Sequence, residues 1–134
     1  MSVIIIEQND YGTMYYHPES KIVHHEYHKF IYGDVYRAFL LKGTETLKKY
    51  GAIKWLSDDR KNPVVSAIDI EWGQKNWLPV TLQAGWKYWA IVQPEGILAK
   101  VTMENLMKDF AKFGLTAKYF TDPEVAMKWL ESQS

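Results

Sequence analysis

The chain has 134 residues, of which 47% are hydrophobic and 15% aromatic, and it contains no cysteine. Its length fits one domain with a proper core, so we treat residues 1–134 as a single domain. The missing cysteines exclude disulfides, thiolate nucleophiles and cysteine-based zinc sites. Sixteen basic and sixteen acidic residues give zero formal net charge. Nucleic-acid-binding proteins usually carry a basic excess, so we expect no nucleic-acid partner.

The N-terminal stretch does not have the pattern of a signal peptide. It lacks a basic region, and its apolar run Val3–Ile6 is too short for a signal core. No stretch of the sequence approaches the ~20 apolar residues of a membrane span. We therefore expect a cytoplasmic protein without a transmembrane segment. The neutral charge favours self-association, and a bare Val3–Ile6 edge would be prone to aggregation, so we expect that edge to be covered or paired and predict a homodimer.

Three strands are predicted at the start of the chain: Val3–Glu7, Thr13–His17 and Ile22–His28. Turn residues separate them, so they predict an antiparallel meander. The longest helix is predicted over Tyr32–Gly51. Gly43 lies on the same face of this helix as its apolar residues, which predicts a close approach of the helix to the sheet.

A central strand is predicted over Ala52–Leu56, followed by the polar residues Ser57–Arg60. In open α/β sheets, ligands bind beyond the carboxyl ends of the strands. Ser57–Arg60 would therefore lie where such folds place their functional residues. Ser66 fits the N-cap of the next helix. The Trp-Leu-Pro run at residues 77–79 should break that helix or start a second short one.

Strands and helices alternate through the rest of the chain. A strand over Trp86–Gln93 is followed by a helix that Thr102 caps and Gly114 ends, then by a strand over Thr116–Phe120 and by a final helix with Pro123 in its first turn. The third helix carries a core stripe of Met103, Leu106, Met107 and Phe110. The order β-β-β-α-β-α-β-α-β-α predicts an α/β fold with one open, mostly parallel sheet, an N-terminal antiparallel meander and about four helices.

Two clusters of polar residues are candidates for metal chemistry. Asp58 and Asp59 could together hold Mg²⁺ and a phosphate, or equally cap a turn and pair with Arg60. A second cluster, His24, Glu26 and His28, shares one strand face but spans roughly 14 Å, too far for one ion bound by all three. We therefore predict no metal and no cofactor, and a solvated strand face for the second cluster.

Tryptophans gather around the second crossover connection. Trp72, Trp77, Trp86 and Trp89 could line a groove beside Ser57–Arg60, or they could simply seal helix against strand. Nucleophilic catalysis has little support, because the sequence contains no Gly-x-Ser-x-Gly elbow, no Gly-x-Gly-x-x-Gly turn and no Walker loop.

Five motifs along nearly the whole chain resemble the STAS-like (SpoIIAA-like) group, which includes the sporulation anti-sigma-factor antagonists. They are the three-strand start, the helix ending L-K-K-Y-G-A, the strands K-W-L-S-D-D-R and Y-W-A-I-V, and the ending F-T-D-P-E-V-A-M-K-W-L. Distant relatives by fold are the CRAL-TRIO lipid-transfer domains. The resemblance implies a non-enzymatic switch module, in which a partner kinase phosphorylates a serine after the central strand. Here Ser57 precedes Asp58, and Ser66 is the next serine at a helix start, so these two are the candidate phosphoacceptors.

Three functions follow from the residues and the resemblance together. The first is a cytoplasmic regulatory or protein-interaction module with an unidentified protein partner. The second is a small-molecule or lipid-binding domain with an aromatic-lined pocket. The third is a metal-dependent enzyme that uses Asp58 and Asp59. For the first, the predicted docking surface consists of Ser57, Asp58, Asp59, Arg60, Trp72 and Trp77.

Overall fold

A computed structural model describes residues 3–95 and 108–134, which form an α/β fold around one six-stranded mixed sheet. The strands follow one another across the sheet in chain order: β1 (Ile4–Gln8), β2 (Gly12–His17), β3 (Ile22–Tyr27), β4 (Lys54–Asp58), β5 (Tyr88–Val92) and β6 (Thr116–Phe120). The helices are α1 (Gly33–Tyr50), α2 (Ala67–Trp72), a π-helical turn (Gly73–Trp77), α3 (Leu78–Gln83) and α4 (Pro123–Glu131).

The first three strands form the predicted antiparallel meander, and β3 to β6 then run parallel. Asn9 shapes the first turn, because its side-chain oxygen accepts hydrogen bonds from the backbone N–H groups of Tyr11 and Gly12. β1 is an outer strand that pairs with β2 on one side, and its other edge has no strand partner among the described residues, so the expected covering of that edge stays a prediction. Ile5 of β1 is nevertheless 56% exposed.

The helices cover the two faces of the sheet unequally. α1, α2 and α3 contact one another on one face, while α4 packs on the other, against β4, β5 and β6. Successive residues of a strand point to opposite faces. Trp55 of β4 therefore belongs to the core beneath α1, and Leu56 to the core beneath α4.

Gly43 lies where α1 closely approaches the sheet, as the sequence predicts. A Cβ atom built on Gly43 would lie 2.3 Å from Cη2 of Trp55 and 3.1 Å from Cε of Met14. Only a residue without a side chain fits this contact. The helix can therefore rest directly on the Trp55 ring, which is completely buried.

The central strand lies in the interior of the sheet, but its predicted end is wrong. β4 runs from Lys54 to Asp58, so Ser57 and Asp58 are strand residues and not the start of the following loop. They continue the parallel pairing to β3 and β5, opposite Ile91 and Val92. Polar residues persist in this strand because their side chains find hydrogen-bond partners inside the protein.

The predicted short helix near Pro79 is present in the second crossover as α3. The π-helical turn joins it directly to α2. The predicted third crossover helix lies mostly outside the described residues; within them, residues 108–111 are helical. None of the helices in the described ranges is long and apolar enough to cross a membrane.

Candidate functional site

A cavity of about 230 Å³ lies between the α1 side of the sheet and the second crossover. One wall comes from residues at the carboxyl ends of three parallel strands, the position at which open α/β sheets bind ligands. These are His25 and Tyr27 of β3, Ser57 and Asp59 at the end of β4, and Ile91 and Gln93 at the end of β5. Rings of Tyr36, Trp77, Trp89 and Phe110 contribute the aromatic wall.

The parallel register explains why these residues meet. His25 lies opposite Ser57, and Ser57 lies opposite Ile91 in the next strand. Directly paired residues of neighbouring strands point to the same face, so all three side chains reach the α1 side. The loop after β4 then returns Asp59 to that side, where its carboxylate lies 2.8 Å from Nε2 of His25.

His25 is almost fully buried, and both of its ring nitrogens have partners. The indole N–H of Trp55 donates to Nδ1 of His25 at 3.1 Å. An indole nitrogen can only donate, so Nδ1 must present its lone pair and the ring proton is carried by Nε2. Nε2 therefore donates to Oδ1 of Asp59. With neither nitrogen free, the ring orients Asp59 and cannot act as a general base.

Asp59 brings a negative charge to the cavity. Its Oδ1 is held by His25, and Oδ2 has no partner among the described residues. Burial is the main cause that raises the pKa of Tyr27 and Tyr36, and the Asp59 carboxylate adds to it in both cases. Both tyrosines are therefore neutral hydrogen-bonding groups at any physiological pH.

Ser57 is a cavity residue and not an exposed one. It is 1% exposed, and its Oγ accepts a hydrogen bond from the indole N–H of Trp89 at 2.8 Å. Its hydroxyl is therefore buried in the folded protein, and the phosphorylation of Ser57 stays a prediction. Ser66 is exposed and caps α2, where its Oγ accepts from the backbone N–H of Asp69.

Asp58 and Asp59 do not converge on one site. Asp58 is buried and forms a bidentate ion pair with Arg60. The Nε and Nη2 atoms of Arg60 donate to its two carboxylate oxygens, each at 2.8 Å. This contact is the main cause that raises the pKa of Arg60. Asp59 instead binds His25 on the α1 side. Across residues 3–95 and 108–134, no three ligating side chains come together where they could hold a metal ion.

The predicted cluster of His24, Glu26 and His28 does not form a joint site either. Each of the three has its own partner on β2: in order, His17 at 3.0 Å, the Tyr15 hydroxyl at 3.5 Å and the Thr13 hydroxyl at 2.9 Å. The prediction of a solvated strand face is wrong for His24, because its Nε2 is buried without a partner among the described residues.

Asp69 joins the start of α1 to α2 at the edge of the cavity. Its carboxylate accepts from the backbone N–H of Gly33 at 2.9 Å and from Nε of Arg37 at 3.2 Å. Burial acts to raise the pKa of Asp69, but the hydrogen bonds from Gly33, Ser66 and Arg37 outweigh it and lower that pKa.

Trp72 lies outside the cavity, half-buried, with the Arg37 guanidinium 5.4 Å from its ring centre.

The tryptophans serve both of the roles that the sequence leaves open. Trp77 and Trp89 line the cavity, with ring centres 5.7 Å apart, whereas Trp86 packs behind them. Trp77 is 6% exposed. Because Ser57, Asp58 and Trp77 are all buried, the predicted docking surface is not a continuous exposed patch.

Sequence reasoning singles out Asp59 but misses its partner His25, and it also misses Tyr36 and Gln93 in the cavity wall. The one available signal was the alternation along β3, which places His25 on the opposite face from His24 and Glu26. The hydrogen-bond partners of His25, which are Trp55 and Asp59, lie 30 and 34 positions later in the chain. Only the register between β3 and β4 shows that they meet His25.

Comparisons with protein-family models, curated proteins and solved structures find no match to this chain. The STAS-like kinship therefore stays a prediction from the residues quoted above, and the α/β fold with its mixed sheet stands on the structure alone.

Proposed function

We propose that this protein is a non-enzymatic binding module that holds a small aromatic molecule in the cavity at the ends of β3, β4 and β5. The observation that carries the proposal is an aromatic-walled cavity in which His25, Ser57 and Gln93 are buried polar groups. A dry apolar cavity of about 150 Å³ binds benzene, so about 230 Å³ suits a ligand of one or two rings. Such a mostly apolar site with a few convergent polar groups is typical of small-molecule binding.

Gln93 supports the presence of a ligand-binding wall. It is 9% exposed and lines the cavity, and its amide oxygen accepts no hydrogen bond from the described residues. A buried acceptor without a partner costs about 1–3 kcal/mol. A ligand with an N–H or O–H group would satisfy this oxygen after a rotation of the side-chain amide.

The two other functions have weaker support in the geometry. An enzyme that uses Asp58 and Asp59 lacks a shared site for them, since their carboxylates have separate partners. The regulatory interaction module, its cytoplasmic location, its protein partner and the homodimer stay predictions. Of the six residues of the proposed docking surface, Arg60 retains substantial exposure, with 42% of its side chain accessible.

The variant Gly73→Leu tests the proposal by filling the cavity. Gly73 lines it, and a Cβ built there would meet nothing closer than Trp77 Cε3 at 4.0 Å. We expect the wild type to bind members of a panel of one- and two-ring aromatic compounds, with a Kd on the order of 0.1–1 mM for about ten heavy atoms. The leucine should weaken that binding at least tenfold, as measured by ligand-observed NMR.

Gly73→Ala is the matched control, because its methyl group occupies little of the cavity and should leave the affinity within about threefold. A panel without any binder to the wild type would contradict the proposal, and so would a Gly73→Leu protein that stays folded and binds as the wild type does.

A further inference from the structure

We infer that the ligand of the cavity is a small organic cation, a flat apolar body that carries an ammonium or amidinium group with N–H donors. The inference rests on the proposed function and names the chemical class of its ligand. It is carried by the Asp59 carboxylate, which lines an aromatic-walled cavity where no described lining residue is a lysine or arginine.

The charges of the cavity wall are unequal. Among the described lining residues the ionised groups are Asp59 and Asp69, and neither lysine nor arginine is present. Asp69 is already compensated, because Arg37, Ser66 and the backbone N–H of Gly33 all donate to it. An anionic ligand would therefore meet net negative charge at short range, whereas a cation would be attracted.

Asp59 is the carboxylate that has no lysine or arginine partner among the described residues. Its side chain is 17% exposed, and among the described residues its carboxylate bonds to His25. The hydrogen bond from Trp55 requires an unprotonated Nδ1, so the His25 ring donates one proton to Asp59 without carrying a positive charge. Asp59 is partly buried, and a carboxylate that is largely removed from water is stabilised by a cationic partner. A ligand ammonium or amidinium at the free Oδ2 would supply that partner.

The aromatic wall suits the same kind of ligand. Trp89 lies between Trp77 and Phe110, with ring centres 5.7 and 5.1 Å away and the ring planes inclined at 74° and 53°. All three rings line the cavity. Faces of Trp and Tyr attract cations, with a gain of about 2 kcal/mol or more where water is excluded.

The polar groups favour a cation with N–H donors over a fully alkylated one. Oδ2 of Asp59 and the amide oxygen of Gln93 are both acceptors without a donor among the described residues. A quaternary ammonium group would leave both of them unsatisfied, whereas an ammonium or amidinium group can donate to either.

Three compounds of nearly equal size test the inference by isothermal titration calorimetry: benzamidine, a cation; benzamide, which is neutral; and benzoate, an anion. We expect benzamidine to bind the wild type at least tenfold more tightly than benzamide, and benzoate to show no measurable binding. Asp59→Asn should weaken benzamidine at least tenfold and leave benzamide within about threefold. Asp109→Asn, which removes an exposed carboxylate outside the cavity wall, should change neither value.

The outcomes separate this inference from the proposed function. If benzamide or benzoate binds as tightly as benzamidine, the inference of a cationic ligand is contradicted, whereas the proposed function of small-molecule binding still stands. If none of the three compounds binds, the inference is overturned, and if the wider aromatic panel also fails, the proposed function is contradicted as well. The comparison of the three compounds on the wild type decides the inference even if Asp59→Asn does not fold.

Discussion

Replacing Gly43 by alanine is expected to lower the free energy of unfolding by about 3 kcal/mol. The new methyl carbon would lie 2.3 and 2.5 Å from Cη2 and Cζ2 of Trp55, well inside van der Waals contact. The Trp55 ring has no room to retreat, because its N–H is bonded to His25 and its faces and edges meet Trp77 and Trp86. The gain of ~1 kcal/mol in helix propensity does not offset this clash.

Gly73→Ala is the control for this prediction, measured by denaturant unfolding under the same conditions. Gly73 also lies in a helical segment, with φ −60° and ψ −43°, but a Cβ atom there has space. Alanine should raise the unfolding free energy by up to about 1 kcal/mol. A Gly43→Ala protein as stable as the wild type would show that α1 does not rest on Trp55.

Acid is expected to destabilise the protein through His24. Burial, followed by the imidazoles of His17 and His25, lowers the pKa of His24 to about 3 in the folded state, against about 6.5 in an unfolded chain. Between these two values the unfolded state binds the proton and the folded state does not, so stability is full above pH 6.5 and falls as the pH drops towards 3. The loss from this one group is about 4 kcal/mol.

His24→Gln should remove most of this dependence when unfolding free energies are compared at pH 7, 5.5 and 4. His17→Gln is the companion variant. It removes a like charge near His24 but leaves the burial that is the larger cause, so it should retain most of the acid loss. Equal losses in wild type and His24→Gln would place the acid sensitivity elsewhere in the chain.

The fold is largely predictable because each element carries its own local pattern. Short β-branched runs with turn residues between them predict the meander, and a glycine on the apolar face of α1 predicts its close approach to the sheet. The position at which β4 ends could not be predicted from local patterns. Ser57 and Asp58 look like loop residues until Trp89 and Arg60 are known to satisfy them inside the sheet.

The cavity is much less predictable than the fold. The aromatic residues around it are evident in the sequence, but whether rings seal a core or leave a space depends on packing that no pattern encodes. Trp77 and Trp89 line the cavity, while Trp72 lies outside it beside Arg37. The charge of the site depends on His25 and Asp59, whose contact is set by the pairing of two distant strands.

The most direct test of the binding cavity is an NMR titration that follows the indole N–H signals of the six tryptophans. Benzamidine is added to the ¹⁵N-labelled wild type, with each signal assigned by a Trp→Phe variant. The signals of Trp77 and Trp89 in the cavity wall should shift with one common Kd, while that of Trp129, a residue of α4 on the opposite face of the sheet, should not move. Shifts of Trp129 equal to those of Trp77 and Trp89, or no shift of any indole signal at millimolar benzamidine, would contradict the assignment of the ligand to this cavity.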